Sequence, residues 1–136
     1  MAIPNRTRRR IISDFINLMR NPLDKEGIFV NFDETNILEF DVLIIGPEDT
    51  PYQNGFYLFK GKFPIEYPMV PPKIKFITTT GNERLNPNLY KNGKLCLSIL
   101  NTWHGPGWTP SNTIRSVLMT ILAHVFVKYP LANEPG

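Results

Sequence analysis

Residues 37–63 read ILEFDVLIIGPEDTPYQNGFYLFKGKF. This stretch holds two runs of strand length, Ile37 to Ile45 and Gly55 to Phe63, which are rich in apolar, β-branched and aromatic residues. Gly46-Pro47 follows the first run, and this dipeptide favours a turn. Because the connection between the runs is short, we predict that they form neighbouring antiparallel strands.

Two further runs flank this pair and extend the predicted sheet. Ile28 to Phe32 lies before it and Lys73 to Thr79 after it, and the second of these alternates apolar and polar residues. Residues 63–72 carry four prolines and predict a stiff, irregular loop, because proline fixes φ and withholds a backbone donor. The four runs therefore predict a four-stranded antiparallel meander.

A helix is predicted on the N-terminal side of the sheet, over residues 6–20. Its apolar residues recur with helical spacing at Ile11, Ile12, Phe15, Ile16 and Met19. We take Asn5 as its N-cap and Asn21-Pro22 as its end, since the residue before a proline avoids helical dihedral angles.

A second helix is predicted near the C-terminal end of the chain. Its apolar stripe is formed by Ile114, Val117, Leu118, Ile121, Leu122, Val125 and Phe126. Thr109 suits its N-cap, Pro110 its first turn and Pro130 its stop. Together these elements predict an α+β fold with helices packed on an antiparallel sheet.

The length and composition of the chain limit the class of protein to which it can belong. Its 136 residues are 42% hydrophobic, which suits a single domain over residues 1–136. The sequence shows no apolar run that would span a bilayer and no signal-peptide pattern, and its single cysteine cannot form an internal disulfide. We therefore expect a cytoplasmic or nuclear protein without a membrane partner.

The net charge of +3 is unevenly distributed, because Arg6, Arg8, Arg9 and Arg10 crowd the first ten residues. Such a cluster can form a solvated helix face or contact an acidic protein surface. A nucleic-acid partner is not expected, because no stacking platform or zinc-finger spacing accompanies the arginines.

The chemistry-bearing part of the chain is a long loop from Thr80 to Trp108 that contains Cys96. A buried structural thiol is the simplest interpretation. The neighbouring asparagines and glycine instead favour a thiol near the surface, where it could carry an acyl group while Asn88 donates to the oxyanion.

A cysteine hydrolase would need a histidine base beside the thiol, and the chain offers only His104 and His124. A metal site is not expected, because two histidines and one cysteine lack ligand spacing.

A series of motifs then resembles the ubiquitin-conjugating (E2) catalytic fold over nearly the whole chain. In order they are the basic first helix, Gly46-Pro47, Thr50-Pro51-Tyr52-Gln53-Asn54-Gly55, Phe63-Pro64-Ile65-Glu66-Tyr67-Pro68, Pro71-Pro72, Pro87-Asn88, Asn92-Gly93, Cys96-Leu97-Ser98-Ile99-Leu100 and Trp108-Thr109-Pro110. Each is weak alone, but their common order makes the resemblance specific.

The resemblance implies that Cys96 carries a ubiquitin thioester and that Asn88 supports the oxyanion when a substrate lysine attacks. It implies that the Arg-bearing helix meets the activating enzyme (E1), and that a ligase (E3) docks on Met69, Pro110 and Ser111. No cofactor is implied for this chain, because the E1 consumes the ATP.

The chain also departs from the common family pattern. Asn86 stands where the family usually has histidine, which predicts a changed brace for the loop. Two longer stretches, residues 79–84 and 101–107, resemble the subgroup of the giant inhibitor-of-apoptosis E2 and its larger relatives. Glu134 loosely matches a family carboxylate that helps the attacking lysine. The usual last two helices are expected to be absent.

A non-catalytic variant that only binds ubiquitin is the main alternative within the family. Such variants typically lack the cysteine, whereas this chain keeps Cys96 and Asn88.

Overall fold

A computed structural model describes residues 2–78 and 86–130. In chain order its elements are helix α1 (Asn5–Arg20), a 3-10 turn (Asp24–Glu26), strands β1 (Ile28–Phe32), β2 (Glu39–Ile45), β3 (Phe56–Lys62) and β4 (Lys73–Phe76), a second 3-10 turn (Ser98–Leu100) and helix α2 (Ile114–His124). The strands pair antiparallel in the order β1-β2-β3-β4. The predicted α+β arrangement is confirmed.

The inner face of the sheet forms the core with both helices. Alternate strand residues point inward, and they are Ile28, Phe40, Val42, Ile44, Phe59, Ile74 and Phe76. Gly61 is also required on this face, because a Cβ there would lie 2.0 Å from the ring of Phe40. The opposite face of the sheet is left exposed by the described elements.

Helix α1 differs from its prediction in two ways. Its N-cap is Pro4, and Asn5 is the first helical residue and makes no side-chain capping bond. Its buried side consists of Thr7, Ile11, Asp14 and Leu18. Ile12, Ile16 and Met19 are exposed, because the sheet covers a narrower stripe than the apolar pattern of the helix suggested.

Helix α2 begins later than predicted. Thr113 is its N-cap and forms a reciprocal capping box with Ser116, in which the Thr113 backbone N–H donates to Ser116 Oγ at 3.1 Å. Thr109 to Asn112 form a separate turn, closed by the Asn112 N–H on the Thr109 carbonyl at 2.9 Å. Pro110 suits the second position of such a turn as well as a first helical turn, which explains the wrong boundary.

Helix α2 also ends earlier than the sequence prediction, which took Pro130 as its stop. The helix ends at His124, with Val125 as its cap, before Pro130 is reached. Val125 and Phe126 still pack in the core, so the apolar pattern of the sequence continued beyond the helix itself. None of the helices in the described ranges combines the length and apolar character that a bilayer crossing requires.

Candidate active site

The cysteine lies at the end of a short hairpin, residues 86–96, that docks on the edge of β4. The Gly93 N–H closes its turn on the Tyr90 carbonyl at 2.9 Å, and the Phe76 N–H of β4 donates to the Gly93 carbonyl at 2.8 Å. Gly93 has φ +92, and a Cβ there would lie 2.7 Å from the Phe76 carbonyl oxygen. Glycine is therefore needed for this close approach, which fixes the hairpin against the sheet.

Asn86 braces the start of this hairpin. Its carboxamide nitrogen donates to the Tyr52 hydroxyl at 2.5 Å and to the Val125 carbonyl at 2.8 Å. Its oxygen accepts from the Asn88 N–H at 2.7 Å. Burial raises the pKa of the Tyr52 hydroxyl above its ordinary value, so this partner stays neutral. The Asn86 side chain thus connects the hairpin to the loop between β2 and β3 and to the end of α2.

Asn88 faces the cysteine through two hydrogen bonds. Its side-chain amide donates to the Cys96 carbonyl at 2.7 Å, and the Cys96 N–H donates to the Asn88 carbonyl at 2.9 Å. Asn88 itself is buried. The sequence prediction that these two residues lie together is therefore met by the geometry, although their catalytic roles remain predictions.

Cys96 is buried, which corrects the expectation of a thiol near the surface. Only 2% of the residue is exposed, similar to its neighbours Leu95 and Leu97. Of the polar residues near it in the sequence, Asn92 and Lys94 are exposed at the hairpin tip and edge, whereas Asn88 is buried like the cysteine. Asparagine and glycine near a cysteine predict a loop correctly, but they do not predict the exposure of the cysteine.

The stretch 101–107 after the cysteine is anchored to the cysteine segment. The Thr102 hydroxyl donates to the Leu95 carbonyl at 2.8 Å and accepts from the Leu97 N–H at 2.9 Å. Asn101 lies in the left-handed region at φ 59 and accepts from the Trp108 N–H at 2.9 Å. These bonds hold residues 101–107, the second of the two longer stretches, against the segment that contains Cys96.

A cavity of about 300 Å³ lies beside residues 101–107. It is lined by Asn88, Leu97, Ser98, Trp103, His104, Thr120 and His124. The fold therefore brings both histidines to the cavity that Asn88 borders. Within the described ranges no hydrogen bond joins either imidazole to Cys96, so the geometry does not favour a cysteine–histidine hydrolase pair.

The arginine cluster divides into two groups. Arg6, Arg8 and Arg9 are exposed on α1, as a partner-binding surface requires. Arg10 turns inward, and its guanidinium donates to the Pro110 carbonyl at 2.9 Å and to the Asn112 carbonyl. Arg10 is thus a structural link between α1 and the turn before α2.

Arg10 belongs to a buried polar network that the sequence did not reveal. It pairs with Asp14 at 3.2 Å, and Asp14 also accepts from the Tyr67 hydroxyl and, at 3.4 Å, from the Ile114 N–H. Burial, followed by the hydrogen bond to Asp14, raises the pKa of Tyr67. The i, i+4 spacing of Arg10 and Asp14 was the one available signal.

The residues predicted to meet a ligase lie on two joined loops. Met69 is 58% exposed in the proline-rich loop, and Pro110 and Ser111 are exposed before α2. The Trp108 indole N–H donates to the Pro68 carbonyl at 2.8 Å and so connects the two loops. Glu134 lies outside the described residues. Within the described ranges, no cluster of histidine, cysteine and carboxylate side chains could hold a metal ion.

Comparison with known protein families shows to which family the chain is related. The family described as "Ubiquitin-conjugating enzyme" matches residues 10–135. The chain belongs to this family. Among solved structures, human Ubiquitin-conjugating enzyme E2 G1 superposes on this E2 fold with a TM-score of 0.72 and 34% identity, covering 90% of the chain and 92% of that structure.

Curated E2 relatives agree with the predicted subgroup. Ubiquitin-conjugating enzyme E2 Z of Danio rerio is 46% identical over 128 residues, which cover 93% of this chain and 38% of that protein. The Homo sapiens protein named Dual E2 ubiquitin-conjugating enzyme/E3 ubiquitin-protein ligase BIRC6 is 43% identical over 135 residues, 94% of this chain and 3% of that protein. The chain therefore spans well under half the length of these relatives.

Proposed function

We propose that this chain accepts ubiquitin, or a ubiquitin-like protein, from an E1 as a thioester on Cys96 and passes it to a substrate lysine or to an E3. Family membership supports the reaction class. The observation that carries the assignment to these residues is the Asn88 side-chain amide, which lies 2.7 Å from the Cys96 carbonyl oxygen in the matched family segment.

The reaction requires two acyl transfers. In the first, the Cys96 thiolate attacks the carbonyl carbon of the E1 thioester, and the E1 thiolate leaves. In the second, a lysine amine attacks the Cys96 thioester, an oxyanion forms, the Cys96 thiolate leaves and the amine loses a proton. The chain itself needs no cofactor for these steps, since the ATP is consumed by the E1.

Asn88 would donate to the oxyanion of the second transfer. The Asn88 carboxamide nitrogen is a hydrogen-bond donor, and in the resting state it donates to the backbone carbonyl of Cys96, the residue that would carry the thioester. Because the backbone on both sides of Asn88 is held by Asn86 and Cys96, the donor is oriented before the substrate arrives. We propose that Glu134 orients the attacking lysine or helps to remove its proton.

The burial of Cys96 adds one requirement. A sulfur whose residue is 2% exposed must be uncovered before it can receive the C-terminus of another protein. Transfer therefore includes an opening step around the thiol, which E1 binding would favour only if it binds the open form more tightly.

The partner surfaces follow the same division of residues. We propose that Arg6, Arg8 and Arg9 contact the E1, and that Met69, Pro110 and Ser111 contact the E3. Arg10 is assigned a structural role beside them. A location in the cytoplasm or nucleus would place the chain with these partners.

The deciding experiment is E1-dependent charging with a panel of E1 and modifier pairs. We expect an adduct that reducing agent cleaves and that Cys96→Ala abolishes. Binding of ubiquitin without an adduct would instead indicate a non-transferring module. Peptide hydrolysis lost in His104→Ala would indicate a hydrolase.

A further inference from the structure

Five exposed lysines form two rows across the outer face of the sheet. Lys60 of β3 lies directly opposite Lys75 of β4, and Lys62 lies opposite Lys73. An isolated bridge then places Lys94 of the hairpin opposite Lys75. We call these five side chains the lysine rows.

Such an arrangement works against the stability of the sheet. Like charges directly opposite each other on neighbouring strands are destabilising, whereas opposite charges are favourable. At the β2 end of the rows, Glu39 pairs in register with Lys62 and Asp41 with Lys60. Among the described residues, the only ion pair that forms there joins Lys60 and Asp41, at 3.9 Å. The cationic excess thus lies on β4 and the hairpin, where Lys73, Lys75 and Lys94 form no ion pair with a described residue.

The β4 side of the rows borders a groove of about 690 Å³ between the proline-rich loop and the hairpin. Lys73, Lys75 and Lys94 line it together with apolar side chains, including Val70 and Pro72, and with the single carboxylate Glu66. The groove therefore combines three cations with an apolar wall. A segment of protein that carries carboxylates and a few apolar side chains matches both features.

We propose that the lysine rows and this groove bind an acidic segment of the protein that receives the modifier. Lys94 lies two positions before Cys96 in the hairpin, so a segment held here would have its neighbouring lysines close to the thioester. The inference rests on the proposed function and adds to it a class of substrate: lysines flanked by acidic sequence.

A nucleic acid is the less suitable occupant of the same charge. Its continuous phosphate backbone would pass along the β2 end of the rows against Glu39 and Asp41, and it would meet Glu66 in the groove. Lys73 and Lys75 also line a cavity on the β2 side that contains Glu39 and Asp41. A short acidic segment that enters the groove on the other side meets Lys73, Lys75 and Lys94 and a single lining carboxylate, Glu66.

The first test measures binding by the uncharged chain. Fluorescence anisotropy would follow a labelled glutamate-rich peptide with one lysine, and the same peptide with glutamine in place of glutamate. We expect binding of the acidic peptide to weaken about three- to tenfold in the double variant Lys73→Gln/Lys75→Gln, with a shallower salt dependence. The control Arg20→Gln/Lys25→Gln makes the same change in net charge beside β1, the opposite edge of the sheet, and should change binding by less than about twofold.

The second test follows discharge of the Cys96 thioester onto the same peptides. Lys73→Gln/Lys75→Gln should raise KM for the acidic peptide and leave kcat unchanged. Thermal melts of both variants would show that the fold is retained.

Each negative result points to one cause. Equal weakening by the two double variants, or no preference for glutamate over glutamine, would overturn the inference. Tighter binding of a single-stranded RNA than of the peptide, with the same dependence on Lys73 and Lys75, would overturn it in favour of nucleic acid. Failure of E1 charging would remove the proposed function and leave the binding result interpretable, because the binding assay needs no thioester.

Discussion

Replacement of Asn86 by alanine tests whether one buried side chain holds the active-site hairpin. Asn86 is 3% exposed and makes three hydrogen bonds, to the Tyr52 hydroxyl, the Val125 carbonyl and the Asn88 N–H. Alanine removes all three and leaves the partners in a buried site, where water has little access. The substitution should therefore affect both the stability of the fold and the position of Asn88.

The expected loss of stability follows from these contacts. Each hydrogen bond contributes about 1 kcal/mol net, and a buried partner left unsatisfied costs about 1–3 kcal/mol. Three lost bonds at about 1 kcal/mol each, with about 2 kcal/mol more if one buried partner stays unsatisfied, lower the free energy of unfolding by about 3–5 kcal/mol. In a chain of this size, a loss of that magnitude lowers Tm by roughly 10–15 °C. The protein should remain folded at room temperature, because domains typically have about 5–15 kcal/mol of stability.

Asn92→Ala provides the matched control. Asn92 makes the same type of local bond, in which its side-chain oxygen accepts from the N–H two residues later, here Lys94 at 3.0 Å, but it is exposed at the hairpin tip. We expect it to cost less than about 1 kcal/mol, since water replaces the lost bond. Guanidinium unfolding monitored by tryptophan fluorescence would measure both variants. Similar small losses in the two variants would refute the bracing role.

Three further predictions concern transfer, loading and pH. Asn88→Ala should slow discharge to free lysine by about 10²-fold or more while charging by E1 changes little, and equal loss in both steps would contradict the oxyanion role. Joint charge reversal of Arg6, Arg8 and Arg9 should slow E1 loading at low salt, and unchanged loading kinetics would exclude that surface. Burial and the hydrogen bond to Asp14 raise the pKa of Tyr67 in the folded state. The neutral Tyr67 hydroxyl therefore stabilises the fold fully below about pH 10, the pKa of an unfolded tyrosine, and this stabilisation is lost as the pH rises further. Urea midpoints from pH 8 to 11 should fall only above about pH 10 in the native chain, and Tyr67→Phe should reduce that fall.

The sheet could be predicted from sequence because strand alternation is local. In β2 the inward Phe40, Val42 and Ile44 alternate with outward residues, and this pattern needs no knowledge of the partner strands. Helix ends were less predictable. Thr109-Pro110 and Thr113 offer similar capping chemistry, and only the reciprocal bond between Thr113 and Ser116 distinguishes them.

The site was predictable where the motif itself sets the geometry. Pro87-Asn88 and Cys96 belong to one hairpin, so their proximity follows from a short stretch of chain. The exposure of Cys96 was not predictable, because it depends on what the rest of the chain places over it. The inward turn of Arg10 was missed for the same reason: its partners Pro110 and Asn112 lie about a hundred residues away.

The inward position of Arg10 affects how mutational scans of this chain should be interpreted. Its guanidinium fastens the first helix to the turn before the last one, so most replacements will lower the amount of folded protein in a cell. A scan scored only by growth or by substrate modification would place position 10 in the same class as its exposed arginine neighbours. Measuring abundance alongside activity separates the two, since substitutions at Arg6, Arg8 and Arg9 should leave abundance intact whereas those at Arg10 should not.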